Sequence, residues 1–142
     1  MFFSMRGRNV LRLMVDLASQ DMNDLSSAKE VSKHLGLSER YLEQSFSLMK
    51  RHGFIKSERG AKGGYKLCKP ASEYTVAMIL SAVEESLSPV PCLEGPGYCI
   101  REEECMTVEL WSRVDKAIRD VLENTTLQDL VDWHQEKIKS NR

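Results

Sequence analysis

The stretch from Ser38 to Leu67, SERYLEQSFSLMKRHGFIKSERGAKGGYKL, narrows the possible folds of this chain more than any other. Its apolar residues first recur at helical spacing, then give way to two short β-type runs, FIKS and GYKLC, joined by the glycine-rich ERGAKGG. The first part predicts a helix that Ser38 caps and that ends at Gly53. The second predicts a two-stranded hairpin, with glycines supplying positive φ at its tip and Pro70 ending it. Just upstream, SAKEVSKHLG reads as a short helix burying Ala28, Val31 and Leu35. Ser26 or Ser27 can cap it, Glu30 completes a capping-box pattern with Ser27, and Gly36 stops it. Helix, glycine-containing turn, helix and then a hairpin is the order of a helix-turn-helix followed by a wing.

The rest of the chain is helical in pattern. Val10, Leu13, Met14, Leu17 and Ala18 recur at helical spacing between Met5 and Ser19, and Val76, Ile79, Leu80 and Val83 do so in a helix predicted from about Thr75 to Glu85. After Cys105 an apolar stripe of Leu110, Trp111, Val114, Ala117, Ile118, Val121 and Leu122 runs to about Asn124. A helix of about twenty residues is roughly 30 Å long, and one so broadly apolar is expected to cross the same helix of a second copy. Thr125 or Thr126 caps a last short helix, LQDLVDWHQEK. The fold class expected is mainly α with a small β-hairpin wing: a winged helix-turn-helix domain plus a long dimerisation helix. The division expected is residues 1–85 for DNA binding, 86–106 for a cysteine-rich cluster-binding loop, and 107–142 for the dimerisation and C-terminal helices.

Charge divides the chain in the same sense. Residues 1–70 hold 13 Lys/Arg and 7 Asp/Glu, whereas residues 71–142 hold 7 and 14, so a basic half is joined to an acidic one. On the predicted second helix of the helix-turn-helix, Leu42, Ser45, Leu48 and Met49 point inward, with Tyr41 and Phe46 flanking. Arg40, Glu43, Gln44, Ser47 and Arg51 form one outer stripe. Arginine pairs with guanine, glutamine with adenine, and glutamate accepts from cytosine N4. Glu43 repels phosphate, so facing DNA it makes sense only as a discriminator of sequence. From Lys50 to Lys69 there are seven Lys/Arg against the single acid Glu58. At the hairpin tip, Arg59 suits a narrow minor groove and Lys62 suits phosphate. A double-stranded DNA operator is the expected partner, contacted by Ser38, Arg40, Tyr41, Glu43, Gln44, Ser47, Arg51, Arg59 and Lys62.

Three of the four cysteines crowd into PCLEGPGYCIREEEC, residues 91–105, where Cys92, Cys99 and Cys105 are spaced C-x6-C-x5-C. The start of the chain has no signal-peptide pattern and no apolar run is long enough to span a bilayer, so no membrane association and a cytoplasmic location are expected. There, thiols stay reduced. The spacing lacks the C-x2-C pairs of zinc knuckles and matches no ferredoxin. An iron–sulfur cluster, zinc, a thiol redox switch and plain reduced cysteines all stay open. Cys68, at the end of the second wing strand, is expected to be a packed small residue. No glycine-rich phosphate loop, C-x-x-C pair or plausible Ser/His/Asp set points to an enzyme.

Four stretches together resemble one family: GRNVLRLMVDLA, LSERYLEQSFSLMKRHGFIKSERGAKGGYKL, VAMILSAVEESLSPVPC and CMTVELWSRVDKAIRDVLENTTLQDLV. They are similar to the winged-helix regulators typified by the iron–sulfur regulator IscR, a family that also includes NsrR and CymR. The resemblance runs from the first residue to about Asp132, and YLEQ and RGxxGGY are its most specific elements. It implies a homodimer whose long helices cross. It also implies that Glu43 and its neighbours read the major groove, that Arg59 enters the minor groove, and that Cys92, Cys99 and Cys105 ligate a cluster, with [2Fe–2S] favoured over [4Fe–4S]. The function implied is a transcription repressor sensing iron–sulfur, iron, redox or nitric-oxide status. A cluster-free member would instead govern cysteine or sulfur metabolism through a partner protein or thiol oxidation. The chain departs from the IscR type at Val108, where that type has a histidine as fourth ligand, and its first cysteine interval is one residue longer. Arg8 and Asn9 stand where other members carry a ligating carboxylate. Glu109, one of Glu102–Glu104, water or a small thiol is left as fourth ligand. His34, His52 and His134 do not fall at the family position and are expected at surfaces or helix ends.

Overall fold

The computed structural model describes residues 3–88 and 106–141. The elements are α1 (Met5–Ala18), α2 (Ala28–Leu35), α3 (Glu39–Arg51), β1 (Ile55–Glu58), β2 (Gly64–Leu67), a 3-10 turn (Ala71–Glu73), α4 (Val76–Ser81), α5 (Val108–Asn124) and α6 (Leu127–Ser140). Side-chain oxygens set most helix starts. Ser27 accepts from the Glu30 amide at 3.1 Å, Ser38 from the Tyr41 amide at 3.1 Å, and Thr75 from the Met78 amide at 3.1 Å. Thr126 and Asp129 form a reciprocal capping box at 3.0 and 2.9 Å. Gly36 follows α2 at φ 70°, a conformation costly for any residue with a Cβ. It turns the chain directly into Ser38 and α3.

The core lies between α1 and the helix-turn-helix. Val10, Leu13 and Met14 of α1 meet Val31, Leu42, Phe46, Met49, Ile55, Tyr74, Ile79 and Leu127, all essentially inaccessible to water. Phe46 thus belongs to the core and does not flank it. Its ring stacks on Tyr65 of the wing, centroids 3.9 Å apart, a partner that helical spacing alone does not reveal.

β1 and β2 pair antiparallel, Ile55 opposite Leu67 and Glu58 opposite Gly64. A third segment joins this hairpin. The Ser26 amide donates to Tyr65 O at 2.9 Å, and the Tyr65 amide donates to Ser26 O at 2.8 Å. A Cβ on Gly64 would lie 2.6 Å from Ser26 O, so glycine there permits the bridge. The bridge fixes the wing against the residues that start α2.

α4 is shorter than the predicted Thr75–Glu85 helix: it ends at Ser81, and the chain turns through Ala82 and Val83. The reason is tertiary, since Glu84 is drawn to the start of α1. The last helix, predicted as short, extends to Ser140. It packs on α1 and contributes Leu127 and Val131 to the buried interior. The start of α4 is tied to the junction of α5 and α6 by the Val76 amide donating to Thr125 O and the Leu127 amide donating to Tyr74 O, both at 2.9 Å.

Candidate nucleic-acid interface

α3 presents its two faces as its periodicity requires. Leu42, Ser45, Phe46, Leu48 and Met49 are buried, and Arg40, Glu43, Gln44, Ser47 and Arg51 are exposed as one stripe. Ser38 and Tyr41, also expected at the interface, have internal work. The Ser38 hydroxyl oxygen caps α3, which leaves its proton free to donate outward. Tyr41 is half-buried, and its hydroxyl oxygen accepts from Asn9 Nδ2 of α1 at 3.4 Å. Glu43 lies close enough to Tyr65 that, after burial, its charge is the second cause raising the phenol pKa.

The wing sorts its cations. Arg59 and Lys62 are exposed beside Gly60, which has φ 114°. Arg51 and Lys56 are exposed as well. The other three of the seven Lys/Arg are held within the fold. Lys50 Nζ donates to Ser57 Oγ at 2.6 Å, tying the end of α3 to β1. Lys66 pairs with Glu58 at 3.6 Å, and Lys69 Nζ sits 5.1 Å from the centre of the Tyr74 ring. The cations left for a ligand therefore lie at the end of α3, on β1 and at the hairpin tip. Cys68 follows β2 and is exposed, not packed. Its amide donates to Phe54 O and Tyr74 Oη at 3.2 Å each.

Cys92, Cys99, Cys105 and Glu102–Glu104 lie outside the described residues. Of the other positions weighed as ligands, Val108 opens α5 and offers only hydrocarbon. Glu109 pairs with Arg113 at 3.0 Å. Arg8 is exposed, and Asn9 is buried and bonded to Tyr41 and Arg12. Among the described residues, no group of three His, Cys, Asp or Glu side chains converges as a metal site. The histidines take the roles expected of them. His34 bonds Asp16 at 3.1 Å, His52 caps the end of α3 beside Phe54, and His134 is exposed on α6. Sequence reasoning missed Glu84, and weighed Asn9 only as a ligand position and not as the buried partner of Tyr41.

A helix-turn-helix with an exposed stripe of base-reading residue types, beside a hairpin with a cationic glycine-rich tip, defines a winged-helix DNA-binding protein. Residues 3–133 match Rrf2, described as an iron-dependent transcriptional regulator, and the chain belongs to that family. IscR of Pectobacterium carotovorum is 37% identical over 126 residues, which cover 89% of this chain and 76% of that one. CymR of Bacillus subtilis, described as the global cysteine regulator, has a solved structure that superposes with a TM-score of 0.80 at 34% identity, covering 94% of this chain and 98% of that one. The structure of T. potens IscR gives 0.77 at 31% identity, over 96% and 90%. The relatives are transcriptional regulators by name, and this chain is a DNA-binding regulator rather than an enzyme. Among its described residues no helix is long and apolar enough to cross a membrane.

Proposed function

We propose that this chain is a cytoplasmic, homodimeric repressor whose grip on its operator is set by an iron–sulfur cluster on Cys92, Cys99 and Cys105. The observation that carries this reading is the combination of an exposed stripe of base-reading residue types beside a cationic wing tip with three thiols that precede the long helix α5 in the sequence. Thiolates are the donors that such clusters take. The set is one short of four, and Val108 cannot complete it, so the last ligand is a carboxylate, a water or a small thiol. We favour [2Fe–2S] over [4Fe–4S]. A bound cluster supplies chemistry sensitive to iron supply, oxidants and nitric oxide. The polypeptide does the remainder: residues 1–85 grip DNA, 86–106 hold the cluster, and 107–142 join the two copies. Arg40, Glu43, Gln44, Ser47 and Arg51 read the major groove, with Ser38 and Tyr41 at its edge. Arg59 enters the minor groove and Lys62 binds phosphate.

A second reading is favoured by Val108 and by the similarity to CymR. In it the thiols carry no cluster, and the chain governs cysteine or sulfur metabolism through a partner protein or thiol oxidation. Anaerobic purification separates the two. A coloured protein with iron and acid-labile sulfide is expected, and a colourless one with neither leaves the second reading. The DNA surface has its own check. Arg59→Ala is expected to cost on the order of 1 kcal/mol of operator binding, about 5-fold in Kd. Unchanged binding would remove the wing from the interface.

A further inference from the structure

The segment that leads from α4 toward the three thiols is anchored on two sides. Glu84 Oε1 accepts from both the backbone N–H and the hydroxyl of Ser4, each at 2.8 Å. Ser4 is the N-cap of α1, its Oγ accepting from the Gly7 amide at 3.0 Å. A carboxylate there also meets the positive end of the α1 dipole. A Cβ at residue 7 would overlap Glu84 Oε1, so Gly7, a poor residue for a helix interior, is what admits the carboxylate. Farther along, the Ser88 hydroxyl donates to Asp115 Oδ1 at 3.0 Å and accepts from Arg119 Nη2 at 3.3 Å. Arg119 Nε in turn binds Asp115 Oδ2 at 2.9 Å, so this second anchor lies on α5.

The first anchor continues toward the DNA-reading face. Just beyond Gly7 on α1, the buried Asn9 donates to Tyr41 Oη of α3. Arg12 ties Asn9 Oδ1, at 3.3 Å, to the carbonyl of Leu35, at 2.9 Å, where α2 ends and the helix-turn-helix turn begins. We infer that Glu84 is a positioning residue for DNA binding. It locks the turn that follows α4 to the start of α1, and through Asn9 and Arg12 on α1 it fixes the presentation of α3. Rearrangement around the thiols then alters operator affinity without touching DNA. The sensing half of this inference rests on the function proposed above; the positioning half rests on DNA binding alone.

The test is a double-mutant cycle on operator affinity, using an operator selected from a random duplex pool. Four proteins are compared: wild type, Glu84→Ala, the triple variant Cys92→Ser/Cys99→Ser/Cys105→Ser, and the combination. The change in Kd made by the triple substitution is expected to shrink by at least about 3-fold in the Glu84→Ala background, the size seen along coupled networks. The urea midpoint of Glu84→Ala should stay near that of wild type. Glu84→Gln, which keeps an acceptor for Ser4, should recover much of the coupling. Gly7→Ala should mimic Glu84→Ala despite its better helix propensity, and it decides the matter if Glu84→Ala does not fold. An equal change in Kd in both backgrounds overturns the inference. If the triple substitution leaves wild-type Kd unaltered, the sensor reading fails. Glu84→Ala alone then decides: about a 3-fold shift in Kd at constant stability keeps the positioning role, and no shift ends it.

Discussion

Tyr74 joins the wing to the rest of the fold through one hydroxyl group. The side chain is fully buried. Its O–H donates to Phe54 O at 2.6 Å and accepts from the Cys68 amide at 3.2 Å, and its ring meets Phe54 edge-on. Tyr74→Phe keeps the ring but removes the hydroxyl, leaving the Phe54 carbonyl and the Cys68 amide their direct 3.2 Å bond to each other, so a loss of about 1 kcal/mol in urea unfolding is expected. Burial is the largest cause holding the Tyr74 phenol above its ordinary pKa. A raised folded pKa means the native state keeps the proton more tightly than the unfolded chain. This contribution is therefore complete below pH of about 10 and is lost as pH rises through the folded pKa. Tyr74→Phe should lose less stability than wild type in that alkaline window. Tyr74 was not legible as a buried anchor in the sequence, and neither was the packing of Phe46, because their partners Phe54 and Tyr65 come from other elements. The exposed stripe from Arg40 to Arg51 was legible, since it follows from the helix period alone.

At the scale of elements, the distinction between local and distant causes decides what a sequence reveals. Ser27, Ser38, Gly36 and Thr126 act within a few residues of themselves, and the elements they bound stand where their pattern puts them. α4 stops early because Glu84 has a partner at the other end of its domain, which no local pattern encodes. The wing combines both kinds of cause. Its strands and glycines are plain in the sequence, but the Ser26–Tyr65 bridge appears only when the helix-turn-helix brings the two together. Which lysines remain available to DNA also depends on tertiary partners such as Ser57, Glu58 and the Tyr74 ring. Gly64→Ala tests that bridge. The new Cβ meets backbone, which cannot swing aside as a flexible side chain would, so a cost of about 1–3 kcal/mol is expected. Amide exchange at Ser26 and Tyr65 should quicken while that of α6 is little changed, and operator binding should weaken because the wing loses its fixed angle. Unchanged protection at both amides would mean the bridge does not orient the wing.

For the whole molecule, the question is what covers α5. Its 17 residues include none that is buried, although they carry an apolar stripe. Leu110 is 53% exposed and Val121 63% exposed, with Ala117 between them on the same face. By contrast α6, no more apolar in pattern, sinks Leu127 and Val131 into the core. A second copy presenting the same stripe would cover both in one isologous contact, the commonest symmetry among oligomers. Leu110→Asp with Val121→Asp places like charges in such a seam. Light scattering should find this variant monomeric, with its helical circular dichroism retained. Operator affinity should fall by about a hundredfold or more, because two linked half-site contacts become single ones. A variant that stays dimeric and binds DNA normally would place the interface elsewhere. Because Asp115 and Arg119 on this same helix hold Ser88, a dimer built on α5 would place Ser88 beside the joint between copies. A change there could then alter the spacing of the two reading helices as well as the set of each one.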